Sequence, residues 1–275
     1  MSPGHSALVL CIVALLSVTP SDLPAQIRPL EPLDLCVYAC GRHVVVEVGV
    51  AAYDGQRASL AGVEGRLIEL GRLRVLWRMD RVAFQASGTV WRRLDGPRPF
   101  AEPVDGVVGG HAERLGDVGD FRLETIIALV RTEHLRAVLR FGTRLPTTDD
   151  RIGLERDRTD FFALVGGQFT RGALTATLES GLGIHGAYTS YFDQVDVWLY
   201  SAALEYDLGA LVPSVAVAGQ ADGLSGPPVR GNENLQEARF GLRIGRDQWV
   251  RIVAVTGLTE FSPTRGVEVA VGAAF

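Results

Sequence analysis

Alternation of apolar and polar residues recurs from residue 43 to the last residue, and this period of two is the feature that most constrains the fold. In HVVVEVGVAAY (43–53), Val44, Val46, Val48 and Val50 share one face and Glu47 lies on the other. Such alternation is typical of β-strands with one apolar and one polar face. We count about twelve such segments, most of them near the roughly 9–11 residues that cross a bilayer at a tilt.

The connections between these segments alternate in length. Short turns are predicted at 78–81, 132–134, 170–172, 207–209 and 245–248. Longer loops are predicted at 54–66, 93–120, 146–159, 187–194, 221–233 and 259–264. This alternation is typical of outer-membrane barrels, which have short periplasmic turns and longer extracellular loops. We therefore predict an all-β fold, a single closed antiparallel transmembrane β-barrel of about twelve strands over residues 43–275. A soluble β-sandwich, which also alternates, is the competing architecture.

Residues 1–25 resemble an export signal. An apolar run extends from Ala7 to Val18, which is too short to span a bilayer but suits the apolar core of a signal peptide. We expect cleavage after Ala25 and location in the outer membrane of a Gram-negative bacterium. An apolar helix of a soluble domain is the alternative interpretation of this run.

Residues 26–42 are then expected to form a periplasmic N-terminal segment that contains Cys36 and Cys40. Because an exported chain meets an oxidising compartment, we predict a Cys36–Cys40 disulfide. Two thiols with only His43 nearby fall short of the four ligands of a structural zinc site. We predict no metal and no cofactor.

Charge and motif spacing argue against three other functions. The net charge of −5 gives no basic surface for nucleic acid. GLGIHG (181–186) matches a dinucleotide fingerprint in form, but no helix pattern follows to bind a pyrophosphate. A membrane-embedded lipid hydrolase would need a serine beside a histidine, whereas Ser180 and His185 have opposite parity. We therefore predict that the chain is not an enzyme.

In a barrel, the polar face of each strand lines the lumen. Charged residues recur on that face, and they are tolerated where water or opposite charges meet them. The predicted lumen-lining set is Arg74, Arg78, Arg136, Arg140, Arg239, Arg243 and Arg251 with Glu47, Glu124, Glu179, Glu205 and Glu268. The lumen is thus expected to be wet and mixed in charge.

The loop RLPTTDDRIGLERDRTD (144–160) mixes acidic residues with arginines. Several oxygens on a tight turn could bind calcium, but the interleaved arginines favour internal ion pairs. Such charges at the extracellular rim could also contact lipopolysaccharide phosphates.

The stretch FGTRLPTTDDRIGLERDRTDFFALVGGQF (141–169) resembles the central region of the outer-membrane proteins called "MetA-pathway of phenol degradation". In that family a strand ends in a Gly-x-Lys-Leu-Pro-Thr-Gly-Asp motif. The matching residues are Gly142, Leu145, Pro146, Thr147 and Asp149, while Arg144 replaces the lysine and Thr148 the glycine. The resemblance covers about 30 residues and implies a twelve-strand barrel that passes hydrophobic or aromatic molecules.

The sequence therefore predicts an outer-membrane channel or transporter for small molecules, with the loop 93–120 as a constriction or lid. The alternative is a non-conducting structural or surface-interaction barrel. Expected partners are outer-membrane lipid, lipopolysaccharide, a small solute and the barrel-assembly machinery, for which the terminal Phe275 resembles the recognition signal. The oligomeric state is left open.

Overall fold

The computed structural model describes residues 28–33, 43–186, 194–221 and 230–275. Within these ranges the chain forms thirteen β-strands and a short 3₁₀ turn at Gly109–His111. The strands are β1 Val44–Ala58, β2 Val63–Met79, β3 Val82–Pro99, β4 Arg114–Asp117, β5 Phe121–Arg131, β6 Leu135–Leu145, β7 Asp160–Arg171, β8 Leu174–Gly186, β9 Gln194–Tyr206, β10 Leu211–Ala221, β11 Leu235–Gly245, β12 Gln248–Gly257 and β13 Arg265–Ala274. No helix among the described residues has the length and apolarity needed to span a membrane. The signal at 1–25 and both cysteines of the predicted disulfide lie outside the described residues.

Twelve of these strands close an antiparallel barrel, which confirms the predicted fold class. Each strand pairs with its neighbours in sequence, and β1 closes the barrel against β13 over Val45 to Asp54. The short strand β4 pairs only with the far end of β3 and stands outside this cycle. At the closure, the Phe275 N–H donates to the Val44 carbonyl at 2.8 Å. A closed ladder leaves no open edge to be satisfied in lipid.

The two ends of the barrel differ as predicted, apart from two segments that were expected to be loops. Within 93–120, β3 continues to Pro99 and Arg114–Asp117 form β4, because the end of β3 goes on pairing with β2 and with β4. At one end, here called the turn end, strands are joined by a few residues each; the opposite end is here called the loop end. The segment 54–66 was expected to be a loop, but β1 and β2 continue through it and join at 59–62. The reason is burial: Leu60 and Ala61 at this junction are fully buried beneath the neighbouring loops, so the pairing gains apolar contacts beyond the membrane span.

The outer face of the barrel is apolar, and the inner face is polar. Large apolar side chains are exposed on the outside of every barrel strand, for example Val267, Val269 and Val271 of β13, which are 51%, 39% and 57% exposed. Burial of alternate positions puts Glu47 and Glu268 inside. An outward apolar band around a polar interior is the pattern of a transmembrane barrel and not of a soluble sandwich.

The loops 100–120 and 146–159 fold over the loop end and form what we call the cap. Their backbones meet where the Val108 N–H donates to the Arg151 carbonyl at 2.8 Å. Beneath them, Leu60, Leu115 and Leu154 belong to one buried apolar cluster with residues from β1, β2 and β3. This cluster gives the cap an apolar core and fixes it to the loop end of the wall.

Candidate functional site in the barrel lumen

Residues 28–33, here called the strap, lie inside the barrel. They belong to the segment 26–42 that was expected to be periplasmic, and their position in the lumen differs from that expectation. The Leu33 N–H donates to Glu179 Oε2 at 2.9 Å, and Arg140 Nη1 donates to the Glu31 carbonyl at 3.1 Å. The strap enters the lumen because its charges and backbone groups find partners there, as buried polar groups require.

Arg28 occupies an acidic and aromatic pocket toward the loop end. Its Nε and Nη2 donate to the two carboxylate oxygens of Glu237 at 2.8 and 2.6 Å. Nη2 also donates to Glu268 Oε1 at 3.0 Å, and the guanidinium carbon lies 4.0 Å from the centre of the Tyr53 ring. Two parallel bonds and a stacked ring match the planar shape and charge of a guanidinium group.

The pocket around Arg28 is positioned by the barrel wall. Tyr53 Oη donates to Glu268 Oε1 at 3.0 Å. Arg239 bonds both acids, at 3.2 Å to Glu237 and 2.8 Å to Glu268. The strand neighbour of Tyr53 is Gly266, where a Cβ would lie 2.1 Å from the Tyr53 ring. Only glycine leaves room for the ring at this position.

Glu31 of the strap meets the guanidinium groups that hold those acids. It contacts Arg72 closely and lies 3.8 Å from Arg239 Nη2. Arg72 in turn lies 2.8 Å from Glu268 Oε2. The strap therefore places one cation and one anion into a single network of alternating charge.

The strap leucines cover apolar parts of the inner wall. Leu33 joins a buried cluster at the turn end that includes Val45 and Trp249. Leu30 packs against a patch formed by Phe162, Leu164, Val195, Val197 and Leu199. The strap prolines have no N–H that would need a partner in the lumen. The strap is thus complementary to the wall in shape, charge and apolarity.

Two further ion-pair groups lie on the inner wall. Arg140 bridges Glu124 at 2.8 Å and Glu179 at 3.3 Å. At the turn end, Glu47 contacts Arg251 and Arg74, the latter at 3.3 Å. Paired in this way, the charges can be buried without leaving an isolated ion.

A third charged group lies beneath the cap. Arg92 contacts Glu155 of the cap at 2.5 Å and Glu69 at 2.9 Å, and Arg144 contacts Asp120 at 3.2 Å. Burial and the neighbouring Glu155 raise the pKa of Asp120 to about 7. Burial alone would raise the pKa of Glu155 as well, but the Arg92 and Arg144 guanidinium groups hold it lower, at about 2.

The loop 146–159 uses its charges in ion pairs. Arg151 pairs with Asp149 at 2.7 Å and Arg158 with Asp150 at 3.5 Å. In the described part of the chain, no group of three or more His, Cys, Asp or Glu residues could hold a metal ion. These contacts fit the ion-pair interpretation of this loop.

All twelve residues of the predicted lumen-lining set lie on inward positions of the barrel strands. Six are buried, namely Glu47, Glu124, Arg140, Glu179, Arg239 and Glu268. Six are half-buried, namely Arg74, Arg78, Arg136, Glu205, Arg243 and Arg251. That solutes pass these residues remains a prediction, as does the role of the exposed Phe275 in assembly.

Several interior charges were not predicted from the sequence. For Glu69 the reason is a bulge in β2 that changes which positions face the lumen. In β2, Gly71 has φ of +64° and the register with β1 shifts there. Glu69 and Arg72, three residues apart, consequently face the lumen together. A glycine inside an alternating segment is the signal that could have revealed this bulge. Glu237 shares the parity of Arg239 and Arg243, so the same alternation could have revealed it, whereas Arg28 and Glu31 lie outside the alternating segments and carried no comparable signal.

The cavity beside the strap is small. One cavity of about 90 Å³ lies between the strap and the wall, lined among others by Arg72, Glu124 and Arg140. Small-molecule sites are usually about 300–1,000 Å³, whereas this volume suits a few water molecules. The described conformation therefore has a lumen occupied by the strap.

Ser180 and His185 do not form a catalytic pair. Ser180 Oγ accepts a hydrogen bond from the Trp198 indole at 2.8 Å on the outer face. His185 is buried inside, where its Nδ1 lies 3.1 Å from Asn232 Oδ1. The barrel wall separates the two side chains, so neither can activate the other.

Comparison with known proteins identifies the architecture. No protein-family model and no curated protein sequence matches the chain. Among solved structures, the COG4313 outer membrane channel from Pseudomonas putida F1 is similar, with a TM-score of 0.60 and 12% identity over 93% of this chain and 100% of that chain. The NanC porin is also similar, with a TM-score of 0.51 and 10% identity over 84% of this chain and 98% of that one. At these identities the likeness shows that the chain has the fold of an outer-membrane β-barrel.

Proposed function

We propose that the chain is an outer-membrane channel for small solutes and that the strap closes it in the described conformation. The observation that carries the proposal is a charged inner wall, enclosed by twelve strands with an apolar exterior and filled by a separate segment of the chain. A wall built only for stability would be expected to pack apolar side chains, since buried ion pairs are weak sources of stability.

The character of the lumen favours polar or charged solutes. Guanidinium and carboxylate groups line most of the cavity, and such groups select solutes by charge and hydrogen bonding. The family resemblance implies hydrophobic or aromatic solutes, for which the wall offers two apolar patches, one beneath Leu30 and one beneath Leu33. We therefore place small polar solutes first.

We further propose that the barrel sits in a bilayer rimmed by lipopolysaccharide. Exposed arginines lie along one side of the loop end, on β2, β3, β4 and β13, namely Arg66, Arg98, Arg114 and Arg265, all more than half exposed. Their carboxylate partners are fewer, since Asp54 serves both Arg66 and Arg265. Guanidinium groups with remaining donors bind phosphates well.

A non-conducting structural barrel is the second candidate. It is favoured by the filled lumen, in which the strap and wall groups satisfy one another. Reconstitution in a planar bilayer separates the two functions. The Leu33→Glu variant puts a charge into the apolar turn-end cluster beside Glu179 and should release the strap.

We expect Leu33→Glu to raise the open probability of single channels at least tenfold over the unchanged chain. The matched control is Leu208→Glu, the same substitution at a leucine that is 61% exposed in a turn at the same end. Silence of a folded, inserted Leu33→Glu barrel would refute the channel. Equal currents from all three proteins would show that the strap does not close it.

A further inference from the structure

We propose that the positions of Arg28 and Glu31 form a binding site for small solutes that carry both a guanidinium group and a carboxylate, and that the strap occupies this site by imitating such a solute. The inference rests on the proposed channel function, because a solute reaches this site only through an open lumen. It adds a substrate class to that function.

The guanidinium position is built by the barrel wall and not by the strap. Glu237, Glu268 and Tyr53 belong to β11, β13 and β1, and Arg239 holds both acids in place at 3.2 and 2.8 Å. The pocket therefore keeps its shape when Arg28 leaves. Two carboxylate oxygens for parallel bonds and one aromatic face distinguish a planar guanidinium from a spherical ammonium.

The carboxylate position adjoins it. Arg72 and Arg239 both reach Glu31, and both also contact Glu268. Arg28 Nη2 lies 3.0 Å from Glu268 Oε1, which lies 2.8 Å from Arg239 Nη2. Arg239 Nη2 in turn lies 3.8 Å from Glu31 Oε1. Arg28 Nη2 and Glu31 Oε1 are therefore at most about 10 Å apart. A short alkyl chain joining a guanidinium to a carboxylate can occupy both.

Charge balance specifies the class of solute. The wall presents two acids, Glu237 and Glu268, and two guanidinium groups, Arg72 and Arg239, at these positions. The strap adds one positive and one negative charge. A solute that carries one charge of each sign replaces both strap contacts and keeps this balance, whereas a solute with a single charge leaves one unit of net charge in the site.

The strap can leave without unfolding the wall. Residues 28–33 belong to no strand, and each of their hydrogen bonds to the wall described above involves a side chain, of the strap or of the wall. The barrel's own hydrogen-bond ladder is independent of these contacts. Exchange of the strap for a solute therefore costs local contacts only.

Titration calorimetry on the full-length barrel in detergent tests the site, with γ-guanidinobutyrate as the probe and with Arg28→Ala and Glu31→Ala combined so that both positions are empty. We expect saturable binding at least tenfold tighter than that of γ-ureidobutyrate, which has the same shape without the charge. Butylguanidinium, which lacks the carboxylate, should also bind at least tenfold more weakly. If Arg28→Ala does not fold, Arg28→Lys serves instead, because it keeps the charge and removes the planar group.

A second substitution locates the binding. Adding Glu237→Gln should weaken γ-guanidinobutyrate binding at least tenfold, whereas adding Glu133→Gln, at an exposed turn-end position, should leave it unchanged. Equal affinity for the guanidino and ureido acids, or no effect of Glu237→Gln, would overturn the site. Binding without bilayer current would instead refute the channel and leave the site standing, and current without binding would do the reverse.

Discussion

The Gly266→Ala substitution tests how strongly the stacking of Tyr53 on Arg28 holds the strap against the wall. An alanine Cβ at this position would lie 2.1 Å from Tyr53 Cδ1, whereas non-bonded carbon atoms prefer about 3.5–4.0 Å. The Tyr53 ring must therefore move by more than an ångström. It then loses its bond to Glu268 and its stacking on Arg28, which are 3.0 and 4.0 Å long in the structure.

These two losses act on different equilibria. The Tyr53–Glu268 hydrogen bond is lost whether or not the strap is bound, so it lowers the stability of the barrel itself by about 1–2 kcal/mol. The stacking on Arg28 exists only with the strap in the lumen and contributes about 1–2 kcal/mol at a desolvated site. We therefore expect Gly266→Ala to shift the strap equilibrium toward release by about tenfold.

Hydrogen exchange of the Leu33 amide measures strap release without requiring any current. This N–H is bonded to Glu179 Oε2 in the bound strap, so its exchange rate follows the released population. Gly266→Ala should speed its exchange about tenfold, in line with the estimated loss of stacking. The control is Gly167→Ala, where an added Cβ would meet only the Arg136 carbonyl, at 3.9 Å.

A double-mutant cycle of Gly266→Ala with Arg28→Ala tests whether Gly266→Ala acts through the stacking of Tyr53 on Arg28. If Gly266→Ala acts through the stacked guanidinium, it should add nothing to strap release once Arg28 is gone, giving a coupling of about 1–2 kcal/mol. Additive effects on Leu33 exchange, or an equal acceleration by Gly167→Ala, would refute the account of Tyr53 as the platform for Arg28.

Two other predictions concern the loop end. Because burial raises the pKa of Asp120 to about 7, its contribution to cap stability should be fully present below its ordinary pKa near 4 and be lost as pH rises through 7. Protease cleavage of the cap loops should accelerate between pH 5 and 8, and Asp120→Asn should flatten this dependence; an unchanged pH profile in that variant would contradict the assignment. For lipopolysaccharide, Arg98→Glu with Arg114→Glu should reduce co-purification several-fold, because the two side chains are 77% and 74% exposed beside single carboxylates. The control Arg171→Glu, at the exposed turn end of β7, should not, and an equal loss there would point to a nonspecific charge effect.

The strands could be predicted from the sequence because their signal is local. A period of two needs only adjacent residues, and it placed the valines of β13 outside and Glu268 inside. The bulge at Gly71 interrupted that parity and concealed Glu69, which lies on the opposite parity from Arg72 and Arg74. The position of the strap in the lumen could not be predicted from a local pattern, because Arg28 and Glu237 are 209 positions apart and neither residue indicates the other.

The same complementarity explains how a filled barrel could open. Within the lumen the strap exchanges its hydration for ion pairs, and buried pairs recover little more than the cost of removing water from their charges. When the strap leaves, the ion pairs of Arg239 with Glu237 and Glu268 remain, as do those of Arg72 with Glu268 and Glu69. Each of these groups therefore stays partly neutralised, and water needs to solvate only the atoms that the strap had contacted. The free energies of the bound and released forms therefore differ mainly by three terms. The apolar contacts of Leu30 and Leu33 and the stacking on Tyr53 favour the bound form. The conformational entropy of six residues, about 1–2 kcal/mol each, favours the released form. If these terms nearly cancel, the strap is held by a small net free energy. A solute that binds at the Arg28 and Glu31 positions can then displace it.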